Sequence, residues 1–412
     1  MPIPDAGSRF HSLDALRAFA LLLGIALHAA MSFLPGFRAA GWPIVDDSQS
    51  QLLSAVYFVL HIFRMTLFFL IAGFFARLLF HRLGLKGFVR QRLRRIGLPL
   101  LAAMIVVMPL TIVPLVVAVR LHGQSGTGAA ALLRPQGGMP WGHLWFLYLL
   151  LVLYALGILM RALLIRLDRD GCLPKLADRL VKGLLDSRLA PLVLAAPLCL
   201  ALYFMSSWLA WEGIPLPIMG FIPNFPAVLA FGSAMCVGWL LHRQQTLLER
   251  LASDWPIYLV AAAATSSAAW MLVGADAQLR LVEFEPGTRL VYASTYTVAI
   301  WCWSFALTGI AVAFRSQESP AWRYLAQASY WMYLTHIPVV WGLQVLMMKW
   351  PVPWGVKYPL LLAITVAVLL SSYHFLVRGT FVGVFLNGRR LPEGRGRHAQ
   401  RRAGPESAAR QL

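Results

Sequence analysis

The first apolar run of the chain is Leu13–Leu34, LDALRAFALLLGIALHAAMSFL. A helix that crosses a bilayer needs roughly 20 mostly apolar residues, so this run is long enough to span one. Further runs of this kind follow along the 412 residues, which are 59% hydrophobic and 13% charged. Because lipid offers the backbone no hydrogen-bond partner, each run is predicted to be a helix. The chain is therefore predicted to be an all-α integral membrane protein.

We predict about ten transmembrane helices in one bundle, with residues 1–385 as a single transmembrane domain. Residues 386–412 are rich in Gly, Arg and Pro and are expected to form a basic, disordered cytoplasmic tail. The ten predicted spans are about Leu13–Leu34, Leu52–Phe80, Ile96–Val119, His143–Ile165, Ala190–Ala210, Asn224–Leu241, Ile257–Val273, Leu290–Phe314, Ala328–Met348 and Tyr358–Val377.

The distribution of basic residues predicts how these spans are oriented. With a cytoplasmic amino terminus, the inside segments carry 27 Lys and Arg and the outside loops carry 7. Basic loops favour the cytoplasmic side, so both termini are predicted to be inside. The net charge of +19 then indicates contact with membrane lipid or anionic ligands and no nucleic acid. The four cysteines fall in predicted helices or a basic loop, so no disulfide framework is expected.

Four polar or small residues share one side of the first predicted helix. At 100° per residue, Arg17 and His28 differ by only about 20°, and Asp14 and Gly24 lie within about 60° of Arg17. Ionisable groups inside a bilayer are costly and usually functional, so this stripe is a candidate substrate path. The alternative interpretation is that Arg17 snorkels to the surface and His28 is a satisfied core histidine.

The second predicted span contains His61 and Arg64. Arg64 precedes Arg77 by 13 residues and is therefore about 20 Å from the cytoplasmic end. His28 is about 22 Å from the same side, so His28 and Arg64 are predicted to lie at similar depth. An arginine this deep needs a partner or a water-filled cavity, which favours a functional role over a structural one.

Two further groups of polar residues lie in predicted helices. His143 and Trp145 open the fourth span, where an aromatic residue is also expected at the membrane interface. His336 follows Tyr330 and Tyr333 in the ninth span, where hydroxyls and aromatic faces suit a sugar or an acyl chain. For His336 the alternative interpretation is helix packing.

The basic run Arg90–Arg95 enters the third span. Its Arg92, Arg94 and Arg95 are candidate phosphate ligands, since guanidinium groups bind phosphate bidentately, although such runs also serve as topology signals. We find no nucleophile elbow, Walker loop or metal-binding pattern, so no metal and no permanently bound cofactor are expected. Acid–base chemistry by histidine is the remaining mechanism, with His28, His61, His336 and Arg64 as the candidate catalytic residues.

The order of these motifs resembles a known family. Arg17, ten residues and His28 are similar to the Arg-x10-His signature of the acyltransferase-3 membrane acyltransferases, and the resemblance covers nearly the whole chain. One departure is Ala72, where the family often has serine. Further similar blocks, closest to the glucans biosynthesis protein C branch, are His61–Met65, Phe68–Gly73, the basic run before Ile96 and Pro99, His143–Leu147, Gly238–His242, Ser329–Trp331, Leu334–Pro338, Leu376–Arg378 and Leu386–Gly388.

The resemblance implies a multi-pass protein of the bacterial inner membrane. It implies transfer of an acyl group from cytoplasmic acyl-CoA, as succinyl-CoA or acetyl-CoA, to an extracytoplasmic glycan. In the named branch the group is succinyl and the acceptor is an osmoregulated periplasmic glucan. It also implies that His28 is the essential histidine and that Arg17 and Arg95 lie on the CoA side.

Two alternatives stay open at this point. A transporter or flippase would use the buried His and Arg side chains as a proton or anion path, and a lipid-binding scaffold would have no turnover. Transporters often have Gly/Pro-interrupted spans in symmetric positions, and we find none in this sequence. The sequence also leaves open whether the protein forms a homo-oligomer.

Overall fold

The computed structural model describes residues 11–121, 138–168, 170–277, 281–314 and 319–387. These residues are almost entirely helical and contain no strand, with one isolated β-bridge between Pro140 and Met219. The prediction of an all-α membrane protein is confirmed. The predicted tail beyond Asn387 lies outside the described residues.

Twelve α-helices make up the described part of the chain. They are α1 (His11–Ala30), α2 (Gln51–Arg92), α3 (Leu98–Leu121), α4 (Trp145–Leu167), α5 (Cys172–Asp186), α6 (Ala190–Tyr203), α7 (Phe225–Arg243), α8 (Thr246–Val273), α9 (Pro286–Phe314), α10 (Pro320–Met347), α11 (Trp354–Ser372) and α12 (Phe381–Asn387). Turns of π-helix at Leu93–Gly97 and Tyr373–Val377 join α2 to α3 and follow α11.

Seven helical segments in the described residues are long and apolar enough to cross a membrane, or eight if the bent pair α5–α6 forms one span. One of the seven is the 71-residue run Gln51–Leu121, which contains α2, the π-helical turn and α3. Gly84 interrupts this run, because its φ of 65° is not helical. The count of ten spans and the orientation with both termini inside stay predictions.

Several sequence-based boundaries differ from those of the structure. The seventh and ninth spans were expected to begin at Ile257 and Ala328, whereas α8 and α10 begin at Thr246 and Pro320. The segment between the fourth and fifth spans was interpreted as a basic loop, but Cys172–Asp186 forms the helix α5. The fifth span was expected to reach Ala210, whereas α6 ends at Tyr203 and a 3-10 turn follows at Ala210–Glu212. Of the four free cysteines, Cys199 and Cys302 are buried and Cys172 and Cys236 are exposed.

Glycines allow α2 and α7 to pack backbone against backbone. A Cβ atom on Gly73 would overlap the carbonyl of Met235, and one on Gly238 would overlap the carbonyl of Leu70. Small residues at such contacts are typical of helix packing in membranes, where close approach replaces the hydrophobic effect. This contact holds α2, which carries His61 and Arg64, against the rest of the bundle.

Candidate active site

A cavity of about 490 Å³ lies between α1, α2, α4 and α10. Both Arg17 and His28 of α1 line it, and a helical rise of about 1.5 Å per residue separates these two positions by roughly 16 Å. The cavity therefore extends along α1 from an end with Arg17, Arg92 and Arg95, the arginine end, to an end with four histidines, the histidine end.

The predicted stripe of α1 faces this cavity. Arg17, Leu21, Gly24 and His28 line it at spacings of four, three and four residues, which keeps them on one side of the helix. Asp14 is not a lining residue; its carboxylate lies 3.3 Å from a guanidinium nitrogen of Arg17. The helical periodicity of the sequence thus placed three of the four stripe residues along the cavity.

Three histidines from three helical elements meet at the histidine end. The ring centroid of His336 lies 5.3 Å from that of His28 and 5.7 Å from that of His143. Nδ1 of His336 lies 2.7 Å from the carbonyl oxygen of Tyr333, and Nε2 of His143 lies 3.1 Å from that of Leu334. Because a carbonyl only accepts, each of these nitrogens donates, which leaves Nε2 of His336 and Nδ1 of His143 as acceptors.

The ring of His28 has a similar preference. Its Nδ1 lies 3.4 Å from the sulfur of Met31, one turn later. A thioether sulfur has no proton to donate, so Nδ1 is the donor and Nε2 keeps its lone pair. His28 can therefore accept a proton at Nε2.

The end of α1 that carries His28 is fixed by side chains from α10 and α11. The buried amide of Gln344 donates to the carbonyls of His28 and Ala29, each at 3.0 Å. The hydroxyl of Tyr358 donates to the carbonyl of Ala26 at 3.1 Å. The last four carbonyls of a helix have no partner within it, so the bonds from Gln344 satisfy the carbonyls of His28 and Ala29, while the bond from Tyr358 holds the preceding turn. Sequence reasoning did not identify Gln344.

Arg64 reaches the cavity beside His28 and is only 8% exposed. Its Nη1 lies 2.9 Å from the point that a Cβ on Gly24 would occupy, so the glycine leaves room for the guanidinium against α1. Within the described residues no carboxylate pairs with Arg64, and its buried Nε has no hydrogen-bond partner. The guanidinium is thus a buried cation available to an anionic group in the cavity.

His61 lines the cavity at the end of an aromatic stack. Its ring lies 5.6 Å from the ring of Tyr57 at an interplanar angle of 10°, and Tyr57 lies 5.6 Å from Trp211. Trp211 belongs to the turn that follows α6 and is fully buried. This stack fixes the imidazole of His61 from one side. The sequence contains no local signal that would have joined Trp211 to α2.

At the arginine end, protein groups surround each guanidinium. Arg17 donates to the carbonyl of Ala326 at 3.1 Å, in addition to its contact with Asp14, and lies 6.0 Å from the ring of Phe75. These partners hold Arg17 at the wall of the cavity between α1, α2 and α10. The group is still partly exposed, so it can also meet a ligand.

The arginines of the basic run before α3 lie on two sides of the helix, one that faces the cavity and one that does not. The guanidinium of Arg92 lies over the rings of Phe88 and Tyr154, at 5.2 and 5.0 Å, and lines the cavity. Arg95 also lines the cavity and donates to the carbonyls of residues 384 and 385 at 3.4 and 3.3 Å. Arg94 is exposed and does not line the cavity. A helical turn accounts for this, because positions 92 and 95 share a side and position 94 does not.

The predicted residues of α4 and α10 also line the cavity. The hydroxyl of Tyr330 donates to the carbonyl of Arg95 at 2.9 Å, and that of Tyr333 donates to the carbonyl of His143 at 2.8 Å. Both hydroxyls thus use their protons on the backbone, and that of Tyr330 keeps its lone pairs for a ligand. Trp145 lies in the wall, almost completely buried. Among the described residues, no cluster of three His, Cys, Asp or Glu could hold a metal ion.

Comparison with known proteins gives a family for this sequence. Residues 10–374 match the acyltransferase-3 family, as an acyltransferase domain. Glucans biosynthesis protein C from Escherichia coli strains SMS-3-5 / SECEC and K12 is 32% identical over 161 residues, which cover 38% of this chain and 39% of each relative. The aligned part is thus well under half the length of these relatives. No solved structure matches the chain.

Proposed function

This chain belongs to the acyltransferase-3 family of membrane acyltransferases, and from that premise we propose that it moves an acyl group from acyl-CoA to a glycan hydroxyl. The acyl group is succinyl or acetyl, the donor binds from the cytoplasm, and the acceptor is extracytoplasmic. The name of the relatives favours a glucan as the acceptor. The proposal places this glucan in the periplasm and the protein in the bacterial inner membrane.

The observation that carries this proposal is the connection of arginines to histidines by one cavity. Coenzyme A combines several phosphate charges with a flexible arm that ends in the thioester. Arg92 and Arg95 supply guanidinium groups for the phosphates. The arm then follows the Arg17–Gly24 side of α1 and brings the thioester carbonyl beside His28, roughly 16 Å from Arg17. The glycan enters from the opposite, histidine end.

In the proposed reaction, Nε2 of His28 removes the proton from the glycan hydroxyl, and the hydroxyl oxygen attacks the thioester carbonyl carbon. Arg64 stabilises the negative charge that develops on the carbonyl oxygen. The tetrahedral intermediate then collapses, the carbon–sulfur bond breaks, and the departing thiolate takes the proton from His28. The products are a glycan ester and free coenzyme A.

The neighbouring histidines support this step in the proposal. The ring centroid of His336 lies 5.3 Å from that of His28, and its acceptor nitrogen Nε2 binds a neighbouring hydroxyl of the glycan in this proposal. The imidazoles of His143 and His61 make the same end of the cavity polar. The ligands bind against a wall formed by Tyr330, Tyr333 and Trp145. A covalent acyl-His28 intermediate fits the same geometry, and mass spectrometry of quenched reactions distinguishes it from direct transfer.

The His28→Gln variant in proteoliposomes tests the proposal. Loss of the general base is expected to lower kcat by about 100-fold or more, since such catalysis typically contributes 10²–10⁴-fold. The matched control is His242→Gln, because His242 lies on α7 against Phe74 and does not line the cavity. Acyl transfer by His28→Gln within about tenfold of wild type would remove His28 from the mechanism.

A further inference from the structure

The helix α5 has three distinct sides. At 100° per residue, its exposed leucines lie within about 60° of one another, and its exposed basic residues lie within another 60°. The leucines are Leu173, Leu176 and Leu180, which are 43%, 47% and 55% exposed. The basic residues are Lys175, Arg179 and Lys182, all exposed.

The third side attaches α5 to the protein. Asp178 accepts from Nε of Arg243 at 2.7 Å and from the amide of Gln244 at 3.0 Å. Leu185, which shares this side, is only 1% exposed. Because these contacts fix the rotation of the helix about its axis, the leucines and the basic residues are held away from the bundle.

The position of α5 relates it to the membrane boundary. The pair α5–α6 is bent by 108°, so α5 lies close to the membrane plane when α6 runs along the bilayer normal. Exposed apolar side chains continue on both flanking helices, at Ile165 and Leu167 of α4 and at Leu192 of α6. The exposed leucines of α5 thus lie, along the chain, between two helices that also expose apolar side chains.

We propose that α5 is an interfacial helix that binds anionic lipid. Leu173, Leu176 and Leu180 insert at the boundary of the acyl chains, and the basic side binds the phosphates of the headgroups. Amphipathic helices with basic polar sides bind membranes through these two contributions together. The segment lies among the loops that the charge distribution predicts to be cytoplasmic, where anionic lipid attracts basic residues. Lipid binding at α5 is independent of the acyl transfer proposed for the cavity.

Spin labels on the full-length protein in nanodiscs test the placement of α5. Nitroxides are attached at Leu176→Cys or Arg179→Cys, with the exposed Cys172 and Cys236 replaced by serine. We expect the label at position 176 to collide mainly with oxygen and the label at position 179 mainly with a water-soluble nickel chelate. Equal exposure of both labels to the chelate would overturn the proposal and would favour an acidic soluble partner.

Hydrogen exchange tests the choice of lipid. In nanodiscs with phosphatidylglycerol, the α5 amides of the wild type are expected to exchange roughly tenfold more slowly than in phosphatidylcholine alone, because headgroup binding suppresses local opening. The K175Q/R179Q/K182Q variant should lose this difference while the amides of α9, in the core, keep their protection. Equal exchange of the wild-type helix in both lipids would contradict anionic-lipid binding.

Discussion

At the arginine end of the cavity, Arg17, Arg92 and Arg95 contact a carboxylate, two aromatic rings and two backbone carbonyls, respectively, whereas Arg64 at the histidine end makes none of these contacts among the described residues. Arg17 pairs with Asp14, and the guanidinium of Arg92 lies over the rings of Phe88 and Tyr154. The first group is partly exposed, and Arg64 is buried.

This difference indicates two different tasks. Partly exposed arginines interact with ligands in water, where each contact is weak and a set of them recruits a multiply charged molecule. A buried cation acts at much lower dielectric, where its interaction with a developing negative charge is far stronger. We therefore expect changes at the arginine end to alter binding of the donor, and changes at the histidine end to alter the chemical step.

Among the variants that compare the two ends of the cavity, Arg64→Lys is expected to have the largest effect on activity. Lysine keeps the charge but loses the planar set of donors, so kcat should fall by about 100-fold, as for loss of an oxyanion-hole donor. The KM for acyl-CoA should change little, because Arg64 lies far from the phosphates in this account. Steady-state kinetics in proteoliposomes measures both, and a raised KM with unchanged kcat would place Arg64 in binding instead.

The Arg92→Gln variant tests the arginine end. Loss of one phosphate contact is expected to raise the KM for acyl-CoA by about tenfold, with kcat nearly unchanged, since a charge-assisted hydrogen bond contributes about 1.5–3 kcal/mol. Added salt should raise the KM of the wild type for acyl-CoA and so reduce the difference in KM between the wild type and the variant.

The matched control for Arg92 is Arg94→Gln, because Arg94 belongs to the same basic run but is exposed and does not line the cavity. The sequence predicted all three arginines of the run as phosphate ligands, and the geometry favours Arg92 and Arg95. An equal rise in KM for both variants would indicate a diffuse basic surface rather than a specific site.

The Gly24→Ala variant gives a smaller effect that tests the placement of Arg64. Its added methyl group would lie 2.9 Å from Nη1 of Arg64, so the flexible guanidinium must shift slightly. We expect kcat to fall severalfold, because small misplacements of catalytic groups reduce rates. The control is Gly342→Ala on α10, where a Cβ meets no atom within 4 Å. Equal activity of the Gly24 variant and this control would argue that the exact position of Arg64 is unimportant.

The parts of the site that follow from one helix were predictable. The period of the α-helix placed Arg17, Gly24 and His28 on one side of α1, and counting residues predicted that His28 and Arg64 lie at similar depth. Arg64 indeed lies against Gly24, one turn before His28. The same period could have shown that Arg94 lies on a different side of the helix from Arg92 and Arg95. It could also have identified α5 from the spacing of its leucines, but both segments were interpreted from their basic character alone.

Contacts between distant elements could not be predicted in this way. His28, His143 and His336 were each recognised alone, but only the packing of α1, α4 and α10 brings their rings together. The amide of Gln344 and the stack of Tyr57 on Trp211 depend on the same packing. Side chains of these types occur in any helix, so nothing local distinguishes them in the sequence.

The most direct test of the account measures release of free coenzyme A by the purified protein in proteoliposomes. The account predicts that release from acyl-CoA requires a glycan acceptor, is matched by ester formed on the glycan, and is lost in His28→Gln. A transporter or flippase would move acyl-CoA or glycan across the membrane without breaking the thioester. Transport without acceptor-dependent release of coenzyme A would contradict the account.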